Sequence, residues 1–558
     1  GPADGDAVRT AGSIDCGGAE WRNGFHNLHL GASGQTVTIA DDIDVNNVVT
    51  FNGGTVNGAG VQVCGSNTSP IVIAATTTMS FSEFYFDMND LAITVSIPSY
   101  TGYPELDFVN APSVTYQVAA GGLTASQLNF RRGTFDQNGQ PVTAGAVSGA
   151  SSSAGAMSRW VSNGGSITVN GNVRLGINSE NIRRYDWNGS TVDINGDLDL
   201  GTASDTLTLG TATVNVSGSW DNSAGTTVNE GASTVVFDGT SGTQTIDAGG
   251  RTFHNVTVNG AGGARQLADS LACGGALAIL AGTLNTSDGT VRHVRCAGLD
   301  IQGGNLTANN SSITVYGNCT VANAGGLFTA GTSTIVLAGS GTITNPTYNS
   351  RFQNITQLDG ITTSVEGTVW STGTFTSGGL GSRVKSDGGG TLIVHGSTGV
   401  TFTNNWCQWG GGTGALTLRV AARDTFPGGN YGDCNIHLYH RDVVPLTGDV
   451  TTTGNVFLFP DYQNVISELD LAGYDLTCHD LKLGGTDHVS RARVRVDAAS
   501  TLTLTGSLVV SPTPEALKNA LIVDVGAAPT INVAGDWWVA TANGFEAQLS
   551  TVVFNAGA

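Results

Sequence analysis

One short pattern recurs along this chain and limits what the chain can fold into. It consists of an apolar residue, a polar residue, an apolar residue, any residue, glycine, a polar residue, and then an apolar residue or cysteine. Copies occur at residues 167–173, 192–198, 214–220, 313–319, 502–508 and 531–537. The glycines of the first three copies are 25 and 22 residues apart.

The pattern predicts a short β-strand that ends at a bend. Apolar and polar residues alternate with period two, which is typical of a strand with one buried face. Glycine at the end favours a bend or bulge where a Cβ atom would not fit. A repeat of 22–25 residues is the size of one coil of a β-solenoid. We therefore predict an all-β fold, an elongated, right-handed parallel β-solenoid with 22–25-residue coils and an irregular N-terminal β region.

Composition agrees with stacked coils. The chain has 558 residues, of which 80 are glycine and 12% are charged, about half the usual ~25%. Low charge with ordinary hydrophobicity excludes disorder, and nine Glu and three Lys exclude a helical protein. Stacking places equivalent positions about 5 Å apart, so a charge would repeat as a like-charge ladder. Thr and Asn can instead bond to their counterparts in the next coil.

The charge balance also limits the partners. The net charge is −21, and no basic cluster exceeds two adjacent Arg residues, whereas a nucleic-acid-binding face needs many cations. We expect no nucleic-acid partner. The same charge disfavours anionic membrane surfaces, and no apolar run reaches the ~18 residues of a membrane span, so we expect no membrane insertion.

Several aspartates are candidates for Ca²⁺ binding, the only cofactor that the sequence suggests. Asp42 and Asp44 place carboxylates on one outer face, as do Asp193, Asp197 and Asp199. Oxygen-rich clusters of this kind suit Ca²⁺. The alternatives are a glycoside-hydrolysing carboxylate pair and plain solvated turn residues, and we favour the solvated residues.

Three cysteines are spaced regularly. Cys273, Cys296 and Cys319 follow one another at intervals of 23 residues, as successive coils would place them. Stacked coils bring Cα atoms within disulfide range, so one bridge among these three is predicted. An unbonded ladder of small buried side chains is the alternative. Cys16 and Cys64 are a further candidate bridge in the N-terminal region.

Breaks in the pattern divide the chain into segments. Residues 144–158 are almost all small, which predicts a flexible loop. The predicted segments are an N-terminal β region of irregular coils or a β-sandwich-like insertion (1–143), that loop (144–158), a regular β-solenoid (159–360), a less regular β-solenoid (361–500) and C-terminal coils (501–558). Residues 512–521, with an early Pro and Glu, predict one short helix.

Two other groups of residues are candidates for ligand binding. Cys434 and His437 have a zinc-like spacing, with His440 three residues later. On a strand His437 and His440 would point to opposite faces, so we favour ordinary polar residues over zinc. Trp406 and Trp409 are a candidate sugar-stacking pair, although a small core under a loop is favoured.

The strand motifs resemble the Gly-, Thr- and Asn-rich repeats of bacterial surface and secreted proteins, such as haemagglutinin-like adhesins and filament subunits. The resemblance covers residues 160–360 and 500–558 best. It implies a structural protein outside the cell or on the cell surface, with surface glycans as further partners. No catalytic motif occurs, so we expect no enzyme. The alternative is a carbohydrate-active β-helix enzyme or a tailspike-like polysaccharide depolymerase or binder.

A longer repeat points to assembly. The sequence Ser-Thr-Val-Val-Phe occurs at residues 233–237 and again at 550–554. After the first copy the chain continues into another strand, whereas the second copy leaves a coil open. Unpaired strand edges seek partners. We therefore expect a head-to-tail homopolymer whose contact is made by Ser550, Thr551, Val552, Val553 and Phe554.

Overall fold

The computed structural model describes most of the chain as two compact units. The described residues are 6–15, 24–89, 92–109, 112–149, 158–176, 183–322, 325–345, 350–395, 400–402, 408–410, 412, 414–420, 425–438, 443–458, 466–484, 491–511, 520–523, 528–540 and 544–555. The first unit comprises Gly1–Gly275 and Ala281–Thr283, and the second comprises Ala276–Leu280 and Leu284–Ala558.

Both units are β-solenoids, which confirms the predicted fold class. The strands make about 21 turns of about 22 residues, and no α-helix occurs in the described residues. Strands within the stack pair in parallel with strands of the coils before and after them, as Val192 does with Ile167 and Val214. Among the described residues, no helix is long and apolar enough to cross a membrane.

The first unit contains one large sheet and smaller ones. The large sheet includes β1 (Asp6–Arg9), β3 (Gly24–Leu30), β5 (Ile43–Phe51), β7 (Val61–Gly65), β8 (Ile71–Ile73), β10 (Glu83–Met88), β12 (Tyr100–Val109), β14 (Leu123–Phe130), β16 (Val142–Gly149), β18 (Ile167–Val169), β19 (Val173–Leu175), β21 (Thr191–Ile194), β22 (Leu198–Leu200), β24 (Thr213–Val216), β25 (Trp220–Asp221), β27 (Thr234–Phe237), β28 (Thr243–Asp247) and β30 (Asn255–Leu267). A second sheet contains β2 (Gly12–Ile14), β4 (Thr36–Ile39), β6 (Gly54–Gly58) and β9 (Thr77–Phe81). A third contains β11 (Thr94–Ile97), β13 (Thr115–Val118), β15 (Gly133–Asp136), β17 (Ser158–Val161), β20 (Arg183–Asp186), β23 (Thr206–Thr208) and β26 (Thr227–Asn229), and β29 (Thr252–Phe253) pairs with β31 (Leu271–Cys273).

The second unit begins within β32 (Ala276–Asn285). Its first coils use β33 (Val294–Cys296), β34 (Gly298–Ile301), β35 (Asn305–Thr307), β36 (Ser312–Val315), β37 (Cys319–Val321), β38 (Leu327–Thr329), β39 (Thr334–Leu337), β40 (Gly341–Thr344), β41 (Asn354–Gln357), β42 (Thr362–Val365), β44 (Phe375–Ser377), β45 (Arg383–Lys385), β47 (Val400–Phe402) and β48 (Gln408–Trp409). One further sheet contains β43 (Thr368–Ser371), β46 (Thr391–Val394), β49 (Thr417–Val420), β51 (Asn435–Leu438), β54 (Val456–Leu458), β57 (Leu481–Leu483), β60 (Leu508–Val510) and β63 (Trp537–Val539). The last two contain β50 (Gly429–Asn430), β53 (Val450–Thr451), β56 (Leu476–Cys478), β59 (Thr501–Leu504), β62 (Thr530–Val533) and β65 (Thr551–Phe554), and β52 (Val443–Pro445), β55 (Ile466–Asp470), β58 (Arg491–Val496), β61 (Ala520–Val523) and β64 (Phe545–Glu546).

The core of each unit is made of side chains stacked from coil to coil. In the first unit the rings of Phe86, Phe108 and Phe130 stack in sequence, with centroids 5.2 and 5.8 Å apart. In the second unit Ile313 pairs in register with Ile335, and both are fully buried. Each such side chain contributes roughly 1.5–3 kcal/mol through burial. The inward half of the period-two pattern therefore supplies the core.

In the first unit, the polar residue that follows the bend glycine links one coil to the next. Asn172 Oδ1 accepts a hydrogen bond from the backbone N–H of Asp197 at 2.9 Å. Asp197 Oδ1 accepts one from the N–H of Ser219 at 2.8 Å, and Ser219 Oγ accepts one from the N–H of Thr245 at 3.1 Å. We call this row of bonds the bend ladder of the first unit.

The second unit has a bend ladder of the same kind. Asn435 Oδ1 accepts the N–H of Asn455 at 3.0 Å, and Asn455 Oδ1 accepts the N–H of Asp480 at 3.2 Å. Asp480 Oδ1 then accepts the N–H of Ser507 at 2.8 Å, and Ser507 Oγ accepts the N–H of Asp536 at 3.0 Å. A backbone N–H group at a bend has no acceptor in the strand ladder. The side-chain oxygen of the preceding coil supplies that acceptor.

The bend ladder explains why glycine stands at the bend. A Cβ atom added to Gly196 would collide with Asn172 Oδ1, and one added to Gly506 would collide with Asp480 Oδ1. Neither glycine has a left-handed φ. Backbone atoms of the preceding coil lie almost as close, Gly171 O at 2.6 Å from the added Cβ at Gly196 and His479 O at 2.9 Å from that at Gly506. Glycine is therefore required because the ladder side chain and the backbone of the preceding coil both occupy the space of its Cβ atom, and not because of its backbone angles.

In the described residues, the N-terminal region consists of parallel coils and contains no β-sandwich. Strands β5, β7, β10, β12 and β14 pair in parallel, with a register shift between Tyr100 and Tyr103. Residues 144–149 belong to β16 and do not form the predicted loop, because Ala, Val and Gly fit between β14 and β18 in the sheet. Residues 150–157 lie outside the described part of the chain.

The structure also corrects the predicted helix and the cysteine ladder. Residues 520 and 521 belong to β61 rather than to a helix, and residues 512–519 lie outside the described residues. Cys273 and Cys296 end strands β31 and β33 of one sheet, whereas Cys319 begins β37 in another. Coil lengths therefore vary. The 23 residues from Cys273 to Cys296 lead to the same sheet one coil later, whereas the 23 residues from Cys296 to Cys319 lead to a different sheet.

This arrangement excludes one of the predicted disulfide bridges. Cys296 and Cys319 are free thiols in different sheets, so no bridge joins them. Cys64 is also a free thiol, and its predicted partner Cys16 lies outside the described residues. Burial raises the pKa of the Cys296 thiol to about 12, so this group stays protonated at neutral pH.

Substitutions at one bend test the ladder. We expect Asp197→Ala to lower the free energy of unfolding by about 1 kcal/mol, because the Ser219 N–H loses its acceptor, whereas Asp197→Asn keeps an oxygen in place and has little effect. Gly196→Ala should cost about 1–3 kcal/mol through overpacking. Denaturant unfolding of the purified variants measures these changes.

The control is Gly274→Ala, since the nearest atoms to an added Cβ there lie at 3.8 Å. Equal stability of the Gly196→Ala and Gly274→Ala variants would contradict the steric role of the bend glycine.

Candidate functional site

The predicted Ca²⁺ ligands near the N-terminus lie side by side but are engaged differently. Asp42 Oδ1 accepts a hydrogen bond from the N–H of Gly60 at 2.6 Å. Asp44 lies on β5 and is 8% exposed, and its Oδ1 has no hydrogen-bond partner. Burial raises the pKa of Asp44, and the charges of Asp87 and Asp42 raise it further.

The other predicted ligands lie on β21, on β22 and at the bend between them. Asp197 is a member of the bend ladder. Asp199 pairs in register with Arg174 on one side and Asp221 on the other. Burial raises the pKa of Asp193. No metal-sized group of three ligand atoms includes any of the five predicted aspartates within the described residues, although a different acidic group is found.

That group, which we call the acidic cluster, consists of Glu83, Glu105 and Asp107. One carboxylate oxygen from each residue lies within 4.8 Å of the others. Glu83 on β10 pairs in register with Glu105 on β12, and Asp107 follows two residues along β12. The period-two alternation places all three on the outer side of the strands, since the residues between them, such as Leu106, are buried in the core.

The cluster is supported by polar neighbours on the next coil. Arg131 follows β14, and its Nη2 lies 2.5 Å from Asp107 Oδ2. The same guanidinium lies 5.7 Å from the ring centre of Tyr85. Asn129 donates to Glu105 Oε1, and Gln127 donates to Asn129 Oδ1 at 2.8 Å. These contacts hold the carboxylates in place.

Burial controls the protonation of the cluster. The Asp107 side chain is fully buried, and its Oδ1 has no hydrogen-bond partner. Burial raises the pKa of Asp107 to about 7, opposed by Arg131 and assisted by Glu83 and Glu105. Burial also raises the pKa of Glu83, as do the charges of Glu105 and Asp42. A carboxyl whose pKa is raised to about 7, as that of Asp107 is, can transfer a proton at neutral pH, and carboxylates this close together can hold a cation.

The sequence analysis did not identify the acidic cluster. Glu83 and Glu105 are 22 residues apart, which is one coil, and that spacing was the available signal. This signal was hard to recognise because this part of the chain lacks the bend motif. In addition, Asp107 and Arg131 are brought together by the way β12 and β14 pair, which the spacing does not reveal.

The zinc and aromatic candidates do not form sites in the described residues. Cys434 is buried in the core, where burial raises its pKa to about 12, whereas His437 lies on the outer face of β51. His440 lies outside the described residues. Trp409 is buried, and its ring lies 5.7 Å from the ring of Tyr431, so it belongs to the core. Trp406 also lies outside the described residues.

Comparisons with known proteins leave the chain without a family assignment. No family model matches it, and neither a curated protein nor a solved structure matches it.

The raised pKa of Asp107 predicts a pH dependence of stability. Between its ordinary pKa of about 4 and about 7, the folded protein keeps a proton that the unfolded chain releases. The free energy of unfolding therefore falls as pH rises through this window. Asp107→Asn cannot ionise, so we expect it to flatten this slope in denaturant unfolding measured from pH 4 to 7.5.

Asp288→Asn is the control. A hydrogen bond from the Thr290 N–H lowers the pKa of Asp288, so over the upper part of this range the group is ionised in both states. An unchanged slope in Asp107→Asn would contradict the assigned protonation.

Proposed function

We propose that this protein is a structural extracellular protein, the β-solenoid subunit of a surface filament or adhesin stalk. The observation that carries the proposal is the bend ladder, which ties successive coils together from Asn172 to Thr245 in the first unit and from Asn435 to Asp536 in the second. In its bonds backbone N–H groups donate to oxygens of mostly small polar side chains, and salt screens such bonds less than ion pairs between exposed charges. Coils joined in this way suit a scaffold that works outside the cell.

Assembly through the last strand is part of the proposal. The Ser-Thr-Val-Val-Phe sequence in β27 is covered by residues 255–258 of the next coil, and Phe237 is fully buried. In β65 the same sequence pairs with β62 on one side, and Phe554 is 61% exposed. A strand like residues 255–258 would complete β65, and we propose that a neighbouring subunit supplies it.

Light scattering at rising protein concentration tests this assembly. We expect the wild-type protein to form polymers that electron micrographs show as filaments, and Phe554→Asp to reduce their mass several-fold, because a charge opposes burial of this edge. Leu380→Asp is the matched control, since Leu380 is 71% exposed on a turn of the same unit and lies away from β65. A wild-type protein that remains monomeric at high concentration would exclude the homopolymer.

The acidic cluster favours a second candidate, hydrolysis of a polysaccharide. Retaining glycosidases hold two carboxyl groups about 5 Å apart, and oxygens of Glu83 and Glu105 lie within 4.8 Å of each other. The raised pKa of Glu83 suits a proton donor, with Glu105 as the nucleophile. Arg131 and Asp107 would then orient and tune this pair.

Release of reducing sugar from a panel of neutral polysaccharides tests the second candidate. We expect Glu105→Gln to lower the rate at least about 100-fold, as loss of a nucleophile or acid–base group does. Glu230→Gln is the control, because Glu230 lies on a turn of the same unit outside the cluster. If the wild-type protein releases no sugar, or if both variants lose activity equally, this candidate is rejected.

A further inference from the structure

One row of outward side chains on the second unit has an unusual composition. The row crosses the sheet from β43 to β63 and contains Trp370, Arg419, His437, Phe457, Lys482 and Trp538, with an aliphatic residue on β46 and on β60. We call these six residues the cation–aromatic stripe. Elsewhere the outer positions of this sheet carry mainly Thr, Asn and Ser.

Strand alternation turns the stripe outward. The flanking residues on each strand, such as Leu418 and Val420 beside Arg419, are buried in the core. Residues of the stripe are aligned in register from strand to strand, as Arg419 with His437 and His437 with Phe457. Neighbouring strands lie about 4.8 Å apart, so the stripe offers one side chain per coil along a straight line.

The aromatic rings of the stripe are held by neighbouring side chains. The rings of His437 and Phe457 meet edge to face at 4.5 Å, and Lys482 Nζ lies 5.3 Å from the ring centre of Phe457. At the other end the guanidinium of Arg351 lies 5.4 Å from the ring centre of Trp370. Trp538 is 51% exposed. Cations therefore lie over a face of the Phe457 and Trp370 rings, while Trp538 is half exposed, so aromatic rings and positive charges lie together on one surface.

The charge of the stripe is opposite to that of the whole chain. Arg419, Lys482 and the adjacent Arg351 are cations, in a protein whose net charge is −21. Asp480 Oδ2 lies 3.2 Å from Lys482 Nζ and forms an ion pair with it. Burial, and then the charge of Arg419, lower the pKa of His437 to about 4, so the positive charge at pH 7 comes from Arg and Lys.

We propose that the cation–aromatic stripe binds a linear polysaccharide that carries carboxylate groups. Arg419 and Lys482 would pair with uronate carboxylates, while the half-exposed Trp538 stacks on a sugar ring. A polymer that lies across the strands would pass both Arg419 and Lys482. These two cations are three strand spacings apart, which is about 14 Å. This role goes beyond the scaffold function and does not depend on filament formation or on the acidic cluster.

Titration calorimetry with sodium polygalacturonate as the probe tests the proposal. We expect saturable binding that weakens as salt is added, and no binding of the neutral polymer dextran. Arg419→Gln and Lys482→Gln should each weaken binding at least fivefold. Thermal unfolding of each variant establishes that the fold is retained.

Lys385→Gln is the matched control, because Lys385, like Lys482, is paired with an aspartate (Asp387, at 2.5 Å) but lies on β45 in another sheet of the same unit. Its binding should equal that of the wild-type protein. Absence of polygalacturonate binding, equal binding of dextran, or equal binding by the Arg419→Gln, Lys482→Gln and Lys385→Gln variants would overturn the proposal.

Discussion

The hydrogen bond from a bend N–H to a side-chain oxygen of the preceding coil is the interaction on which the rest of the structure depends. It joins coils where the strand ladder is interrupted, as between Asp197 and Ser219. It also fixes the register of the coils that it joins, because one residue of each such coil is tied to one residue of the next. A slip by one residue would turn every core side chain outward. Glycine at the bend follows from the same close approach of two coils, since the accepting side chain and the backbone of the preceding coil fill that space.

Fixed register turns the outer surface into rows of aligned side chains. Neutral residues such as Thr and Asn can stack in these rows at little cost, which explains the low charge of the chain. Where acids align, as Glu83 with Glu105 or Asp199 with Asp221, burial and like charge raise pKa values. The acidic cluster and the cation–aromatic stripe are the departures from neutrality to which we assign functions.

Much of the fold could be predicted from the sequence, because the bend motif contains both the strand period and the coil length. The motif shows that a polar residue follows each bend glycine, but the same residue types occur in turns and in Ca²⁺ sites. Asp197 therefore suggested a cation ligand, whereas its oxygen accepts an N–H of the next coil. Residues 144–149 suggested a loop because small residues pack equally well in a narrow strand and in a linker.

The functional surfaces could not be predicted in the same way. Coil lengths vary, so a fixed interval does not place residues in one row, and Cys319 falls in a different sheet from Cys296 for this reason. The acidic cluster joins three coils through Glu83, Glu105 and Arg131, and the stripe joins eight strands. Such sites depend on the register of many strands at once, which the sequence specifies only through the packing of each coil on the next.

Hydrogen exchange of the bend amides measured by mass spectrometry tests the central claim most directly. The N–H groups of Asp197, Ser219 and Asp536 lie outside the strands, yet each donates to a side chain of the preceding coil. The account predicts that peptides covering these bends exchange as slowly as the adjoining strands. It also predicts that Asp197→Ala selectively accelerates exchange in the peptide that contains Ser219. Exchange at the rate of exposed loops in the wild-type protein would contradict the account.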